Sequence, residues 1–324
     1  MKATKVQRTN VVLHPDRARV LLRPFLLPND LRATRICAQV MALTEREVHA
    51  SWEQVRREFG DRHPQIDEFL KRRFEQARPC LRSKRRLSKE RKQLLGAYFS
   101  HEYSLEAAAL FNPSIVPHPD QSGLAAGALR FILSLRATGE GHISSITFRT
   151  GFLDKKGSIT INTPTRYCLE PAQVPNAFFE KRLFERKLRE LGLVGDFTRE
   201  TLEHLGESFT LEELRLSVSR ATEHLGARDQ QSKAIARKTL VLAQSNYAVQ
   251  FAPDSRLSER VLFPVTPSQS NGIEDARFVL FQNDDGTRTY CATYTAYDGK
   301  LILPQFIETA DFLHFKFITL NGAA

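Results

Sequence analysis

Alternating zones of helical and strand periodicity predict a mixed fold in which antiparallel sheet segments are interrupted by helices. Two zones, residues 28 to about 105 and 170 to 243, repeat their apolar residues every three to four positions. Two others, 106–166 and 246–320, alternate apolar and polar residues and are punctuated by Gly- and Asp-rich turns. No helical stretch separates consecutive strands of the last zone, which argues against a doubly wound parallel sheet. The expected organisation is a basic helical N-terminal domain (1–105), a first sheet segment (106–169), a helical insert (170–245) and a second sheet segment (246–324).

The elements follow in order. Ala33, Ile36, Val40 and Leu43 lie on one helical stripe that should end near Leu43. Thr44 and Glu47 have capping-box spacing, which supplies partners to two otherwise orphaned N–H groups of the next helix. That helix carries Val48, Trp52, Val55 and Phe59 and should stop before Gly60, with Trp52 in the core. Ile66, Leu70 and Phe74 resume the period until Pro79. Leu129, Phe131, Leu133 and Leu135 then alternate with Arg130, Ile132, Ser134 and Arg136. Thr138-Gly139-Glu140-Gly141 makes a turn before Ile146 and Phe148, completing a β-hairpin. In the insert, Phe184, Leu188 and Leu191 form one stripe, and Leu211, Leu214 and Val218 another. Tyr247, Val249 and Phe251 return to strand, followed by 273–281 and 290–297 around the turn Asn283-Asp284-Asp285-Gly286.

Composition narrows the function classes. The chain has 324 residues, 41% hydrophobic and 26% charged, so disorder and collagen are excluded. Its longest apolar run, Ala107 to Phe111, is far short of the ~20 residues that span a bilayer. The N-terminal Lys2, Lys5 and Arg8 precede no apolar secretory core, and a cytoplasmic location is expected. Cys37, Cys80, Cys168 and Cys291 lack CxxC spacing, so reduced thiols are expected rather than a disulfide framework or a zinc site. The net charge of +10 is concentrated in residues 1–100, which hold 23 Lys/Arg against 11 Asp/Glu. Its densest part is Lys71, Arg72, Arg73, Arg78, Arg82, Lys84, Arg85, Arg86, Lys89, Arg91 and Lys92. This stretch would suit a phosphate backbone. No nucleic-acid-binding motif accompanies it, and a solvated helix face or a contact with the rest of the protein fits it better.

Three segments concentrate chemistry. Arg136 to Ser145 places a cation, Glu140 and His142 at a hairpin tip, where they either project into a cleft or simply form a polar turn. In Asn271 to Phe278, strand alternation puts Asp275 and Arg277 on one face and Glu274 on the other, which equally describes a surface ion pair. Tyr294-Thr295-Ala296-Tyr297-Asp298-Gly299 offers aromatic and acidic groups suited to a sugar, or a strand ending in an Asp-Gly turn.

Taken together, Phe111-Asn112-Pro113-Ser114, Arg136 to His142, Gly272-Ile273-Glu274-Asp275-Ala276-Arg277 and Tyr294 to Asp298 resemble glycoside hydrolase family 130, the mannoside phosphorylases and β-mannosidases. The resemblance covers about 106–166 and 246–320 and leaves the helical regions aside. It implies a five-bladed β-propeller with sugar on the axis, and an inverting phosphorolysis or hydrolysis in which an acid protonates the glycosidic oxygen. A bound phosphate needs converging cations, for which Arg136, Arg149 and Arg277 are candidates. Asn112, Tyr294 and Asp298 are candidates for substrate contacts, and Asp275 either binds substrate or orients Arg277. Glu140, His142 and Asp275 are the candidate catalytic groups. One departure stands out: the family's acid, five positions after the arginine matched by Arg136, is Gly141 here.

The two β zones suffice for about three blades at roughly 40–50 residues each. A partial propeller is therefore expected, with open edges that favour self-association and low activity. The implied partners are an oligosaccharide or glycoside, with inorganic phosphate as a possible co-substrate and no cofactor or metal. A carbohydrate-binding protein without catalysis is the alternative, and nucleic acid is a third, less favoured partner.

Overall fold

Caps and apolar stripes set the N-terminal helices where the sequence places them. The computed structural model describes residues 8–25, 30–81, 85–174, 178–223 and 229–320, so Lys2, Lys5, Arg82 and Lys84 lie outside the described residues. After β1 (Val20–Pro24) come α1 (Asp30–Ala42), α2 (Glu45–Phe59), α3 (Ile66–Ala77) and α4 (Lys89–Tyr98). The Thr44 backbone N–H donates to Glu47 at 2.7 Å and the Glu47 N–H donates to the Thr44 hydroxyl at 3.3 Å, closing the capping box. Trp52 is buried with Ile66 and Leu70. α3 and α4 cross so closely at Gly96 that a Cβ there would lie 2.1 Å from the Leu70 carbonyl oxygen.

The basic stretch is partly consumed inside this domain. Buried Arg91 donates to the carbonyls of Val40 and Leu43 at the end of α1, at 2.5 and 2.7 Å, and pairs with Glu45 at 2.8 Å. A cation there supplies donors to helix-end carbonyls that have no partner within the helix. Arg73, also buried, donates to the Phe99 carbonyl at 3.0 Å. The last residues of the expected helical domain instead form β2 (Ser100–Ser104), antiparallel to β1, with Tyr103 and Leu21 in a shared apolar cluster. Long-range pairing with β1 outweighs the local pattern there.

The remaining strands are β3 (Ala109–Pro117), β4 (Leu129–Thr138), β5 (Ser144–Leu153), β6 (Ile159–Ile161), β7 (Ala172–Gln173), β8 (Phe179–Glu180), β9 (Ser208–Phe209), β10 (Tyr247–Gln250), β11 (Val261–Leu262), β12 (Gly272–Gln282), β13 (Arg288–Tyr297), β14 (Ile302–Thr309) and β15 (His314–Thr319). The insert supplies α5 (Lys181–Glu190), α6 (Asp196–Glu203), α7 (Leu211–Glu223) and α8 (Gln230–Gln244). Its own core holds Phe184, Leu188, Phe209, Leu214 and Val218. Leu191, expected on the same stripe, is 48% exposed because α5 ends at Glu190.

The expected five-bladed propeller, partial or otherwise, is overturned. Among the described residues eleven strands form one largely antiparallel sheet, in the order β3-β4-β5-β12-β13-β14-β15-β10-β7 with β6 and β11 also on β5, while β1 with β2 and β8 with β9 make two-stranded ribbons. No closed barrel or set of separate blades is present among them. Two features join what would otherwise be distinct units. A single parallel pairing, Gly272 with Ser144, links β12 to β5, and a Cβ at Gly272 would stand 2.9 Å from that of Ser144, so only glycine permits the approach. Beyond β15, the strands β10 and β7 extend the same ladder. The two halves then fold onto a common core, in which the Phe148 ring lies 5.6 Å from Phe312 and 6.0 Å from Phe315.

Candidate functional site

Two bulges face each other where β3 meets β12. The β3 register shifts between Phe111 and Ser114, and that of β12 between Glu274 and Arg277. Each bulge holds a non-glycine residue in the left-handed region, Asn112 at φ 52° and Asp275 at φ 55°. Asn and Asp are the side chains that tolerate this conformation best, yet each instance still costs on the order of 1–3 kcal/mol and is concentrated at functional sites. The strands are held in this relation by Ser114, whose hydroxyl accepts from the Phe278 N–H at 2.9 Å, and by Arg277, which donates to the Pro113 carbonyl at 2.8 Å.

The inserted residue at Asp275 breaks the alternation expected of this strand. Glu274 and Asp275, assigned to opposite faces by the sequence pattern, both reach Arg136. The Arg136 guanidinium donates to Glu274 at 2.6 Å, to Asp275 at 3.3 Å and to the Ser144 hydroxyl at 2.9 Å. Ser144 also donates to Glu274 at 3.1 Å, and the guanidinium stands 4.8 Å from the centre of the Phe111 ring. The Asn112 side-chain amide donates to Asp275. Arg136 and Glu274 keep about a fifth of their side-chain surface exposed and Asp275 keeps 41%, so the cluster opens to solvent with its one cation already held by two carboxylates. The roles of Glu274 and Ser144 were not legible in the sequence. Their one signal is an Asp placed directly after a Glu inside a strand.

Other expected site residues lie apart from this cluster. Glu140 and His142 are exposed in the turn between β4 and β5, where the Glu140 carboxylate accepts the Ser104 N–H at 3.3 Å and His142 sits at φ 60°. Tyr294 is buried, its hydroxyl accepting from Gln269 at 2.8 Å and donating to Gln305, and burial pushes its pKa well up. That places it in the core rather than against a sugar. Asp298 accepts the N–H groups of Lys300 and Leu301 at 2.8 and 2.7 Å, bonds that hold its pKa below the usual carboxylate value, so it shapes a turn.

Arg149, expected beside Arg136 and Arg277, belongs to a different cluster. It donates to Glu106 at 2.6 Å, and fully buried Arg19 donates to the same carboxylate oxygen at 3.0 Å. Arg19 further binds the carbonyls of Thr165 and Ser258, each at 2.7 Å. Two buried cations thus share one buried carboxylate and tie five chain segments together. The three arginines expected to cradle a phosphate do not converge.

A third titratable group lies where α3 begins. His63, 6% exposed, stands 2.7 Å from the Glu102 carboxylate, which also accepts from Arg62 at 2.9 Å. Burial lowers the His63 pKa against the opposing pull of Glu102. A folded-state pKa below the unfolded value of about 6.5 means that the neutral imidazole stabilises the fold above that pH. This contribution falls away as pH drops from there through the folded-state pKa. The stability advantage of the wild type over His63→Gln, followed by thermal melts, is therefore expected to shrink between pH 7.5 and 5.5. A constant difference would contradict this role.

Larger clefts of about 610 and 690 Å3 lie elsewhere. Among the described residues, no group of three or more His, Cys, Asp or Glu side chains could hold a metal ion, and no helix is long and apolar enough to cross a membrane. No family model, no curated protein and no solved structure matches this chain.

Proposed function

We propose that the bulge cluster of Asn112, Arg136, Glu274 and Asp275 binds a carbohydrate, and that the protein cleaves β-mannosides or related glycosides with inversion. The reading is carried by the facing bulges, which keep two left-handed polar residues around one arginine at a solvent-open position. An amide, two carboxylates and a guanidinium beside an aromatic ring supply both donors and acceptors to sugar hydroxyls and an apolar surface to a pyranose face. The resemblance of these segments to glycoside hydrolase family 130 points the same way, and a cytoplasmic setting accords with an intracellular glycoside substrate.

Hydrolysis fits the charges better than phosphorolysis. A dianion needs charge-assisted hydrogen bonds from several free cations, whereas Arg136 is matched by two carboxylates and Arg149 is bound to Glu106. Binding without turnover is a second reading, favoured by Gly141 at the position of the expected acid and by the hold of Ser104 on Glu140. Incubation with β-linked manno-oligosaccharides, with and without inorganic phosphate, separates these. Free reducing sugar in both conditions is the expected product, sugar 1-phosphate would restore phosphorolysis, and saturable binding without product would establish the second reading. Neither binding nor turnover across a glycoside panel would remove the carbohydrate assignment.

A further inference from the structure

The 690 Å3 cleft lies at the other end of the sheet order from the bulges on β3, between α3 and the outermost strand β7. Its lining includes the apolar residues Phe69 of α3, Leu169, Pro171 and Phe251. The lining also includes Gln65, Arg72, Gln173 and Gln250, all exposed and with no side-chain hydrogen-bond partner among the described residues. A smaller cavity of about 100 Å3 continues from it past His63 and Cys168.

The charge of the lining comes from Arg72. The other charged group on the wall, Glu170, is ion-paired with Arg23, whose guanidinium is fixed 4.2 Å over the Phe263 ring. Burial raises the Glu170 pKa against the opposing pull of Arg23. Arg73, the next residue on α3, points inward to Phe99, so Arg72 alone of this pair faces the cleft. A guanidinium recognises phosphate or carboxylate oxygens through paired N–H donors. Free carboxamides supply a donor and an acceptor each, the pattern that vicinal hydroxyls require.

From this arrangement we propose that the cleft between α3 and β7 is a second ligand site, which takes a small sugar bearing one anionic group, with Arg72 on the anion and Gln65, Gln173 and Gln250 on the hydroxyls. The site is separate from the bulge cluster and does not rest on the glycoside-cleaving reading. The anion's source is a phosphate ester or a carboxylate, and the experiment distinguishes them.

Titration calorimetry of the full chain in a buffer free of phosphate and sulfate, with glucose 6-phosphate, glucuronate, glucose and inorganic phosphate, provides the test. One of the two anionic sugars is expected to bind at least about tenfold more tightly than glucose or phosphate, and which one identifies the anion. Arg72→Gln, exposed and outside every packed core, should weaken that sugar by about tenfold or more while leaving the melting temperature unchanged. Gln250→Ala should weaken the anionic sugar but not inorganic phosphate. Absence of binding, binding indifferent to Arg72→Gln, or equal affinity for phosphate and its sugar ester would each overturn the proposal. Arg136→Gln, which disrupts the bulge cluster, should leave this binding intact, so failure of one site is distinguishable from failure of the other.

Discussion

Glu106→Gln is expected to destabilise the protein by about 3–5 kcal/mol, read from urea denaturation, the scale seen when one partner of a buried ion pair is removed. The carboxylate is fully buried and accepts from Arg19, Arg149 and the backbone N–H of Asp16, at 3.0, 2.6 and 2.9 Å. Glutamine keeps the shape and one acceptor oxygen but turns the other position into a donor, facing either a guanidinium or an N–H. Two cations would then remain in the interior with no counter-charge. Because Arg19 and Arg149 come from β1's approach and from β5, and Thr165 and Ser258 from two further loops, the loss should loosen the junction of all these segments together. The double variant Glu106→Gln/Arg149→Met removes one of the stranded charges and should recover part of the loss, since the cost lies in unpaired charge rather than in a missing contact. A single variant within about 1 kcal/mol of wild type would show that the network is not what joins these segments.

Periodicity made the helices and most strands legible, because amphipathic stripes and turn residues are local signals. Val48 and Trp52 fell on a buried face, and the Thr44 cap closed as its spacing required. What periodicity could not reveal was how strands pair beyond their neighbours. The 272-to-144 bridge and the attachment of β10 and β7 after β15 depend on contacts between residues far apart in the sequence, 128 positions for the bridge, and they convert the expected blades into one sheet. The site was half legible for a related reason. Asn112, Arg136 and Asp275 came together as their types suggested, but a bulge inserts a residue and reverses every facing assignment beyond it. Glu274 therefore joined the cluster while Tyr294, on an inward strand position, went to the core. Arg149 carried no local sign that Glu106 would claim it.

Replacing Arg136 should separate recognition from scaffold at the bulges. Arg136→Gln is expected to reduce glycoside turnover, or affinity if the protein binds without cleaving, by at least about 100-fold, the effect of removing a preorganised charged donor. The guanidinium serves Glu274, Asp275 and Ser144 at once and covers the Phe111 ring, a geometry that a lysine ammonium cannot span, so Arg136→Lys should restore little. Loss of the arginine also leaves two adjacent carboxylates without a cation, and their repulsion could distort the bulge by itself. Arg136→Gln/Glu274→Gln controls for this by removing one of the negative charges. If activity returns in the double variant, Arg136 acts by charge balance alone. Glu274→Gln alone gives the carboxylate's own contribution, and loss in the double variant beyond it, with a wild-type melting temperature, would place the guanidinium against substrate. Activity of Arg136→Gln within about threefold of wild type, on any glycoside the protein cleaves or binds, would remove the cluster as the functional site.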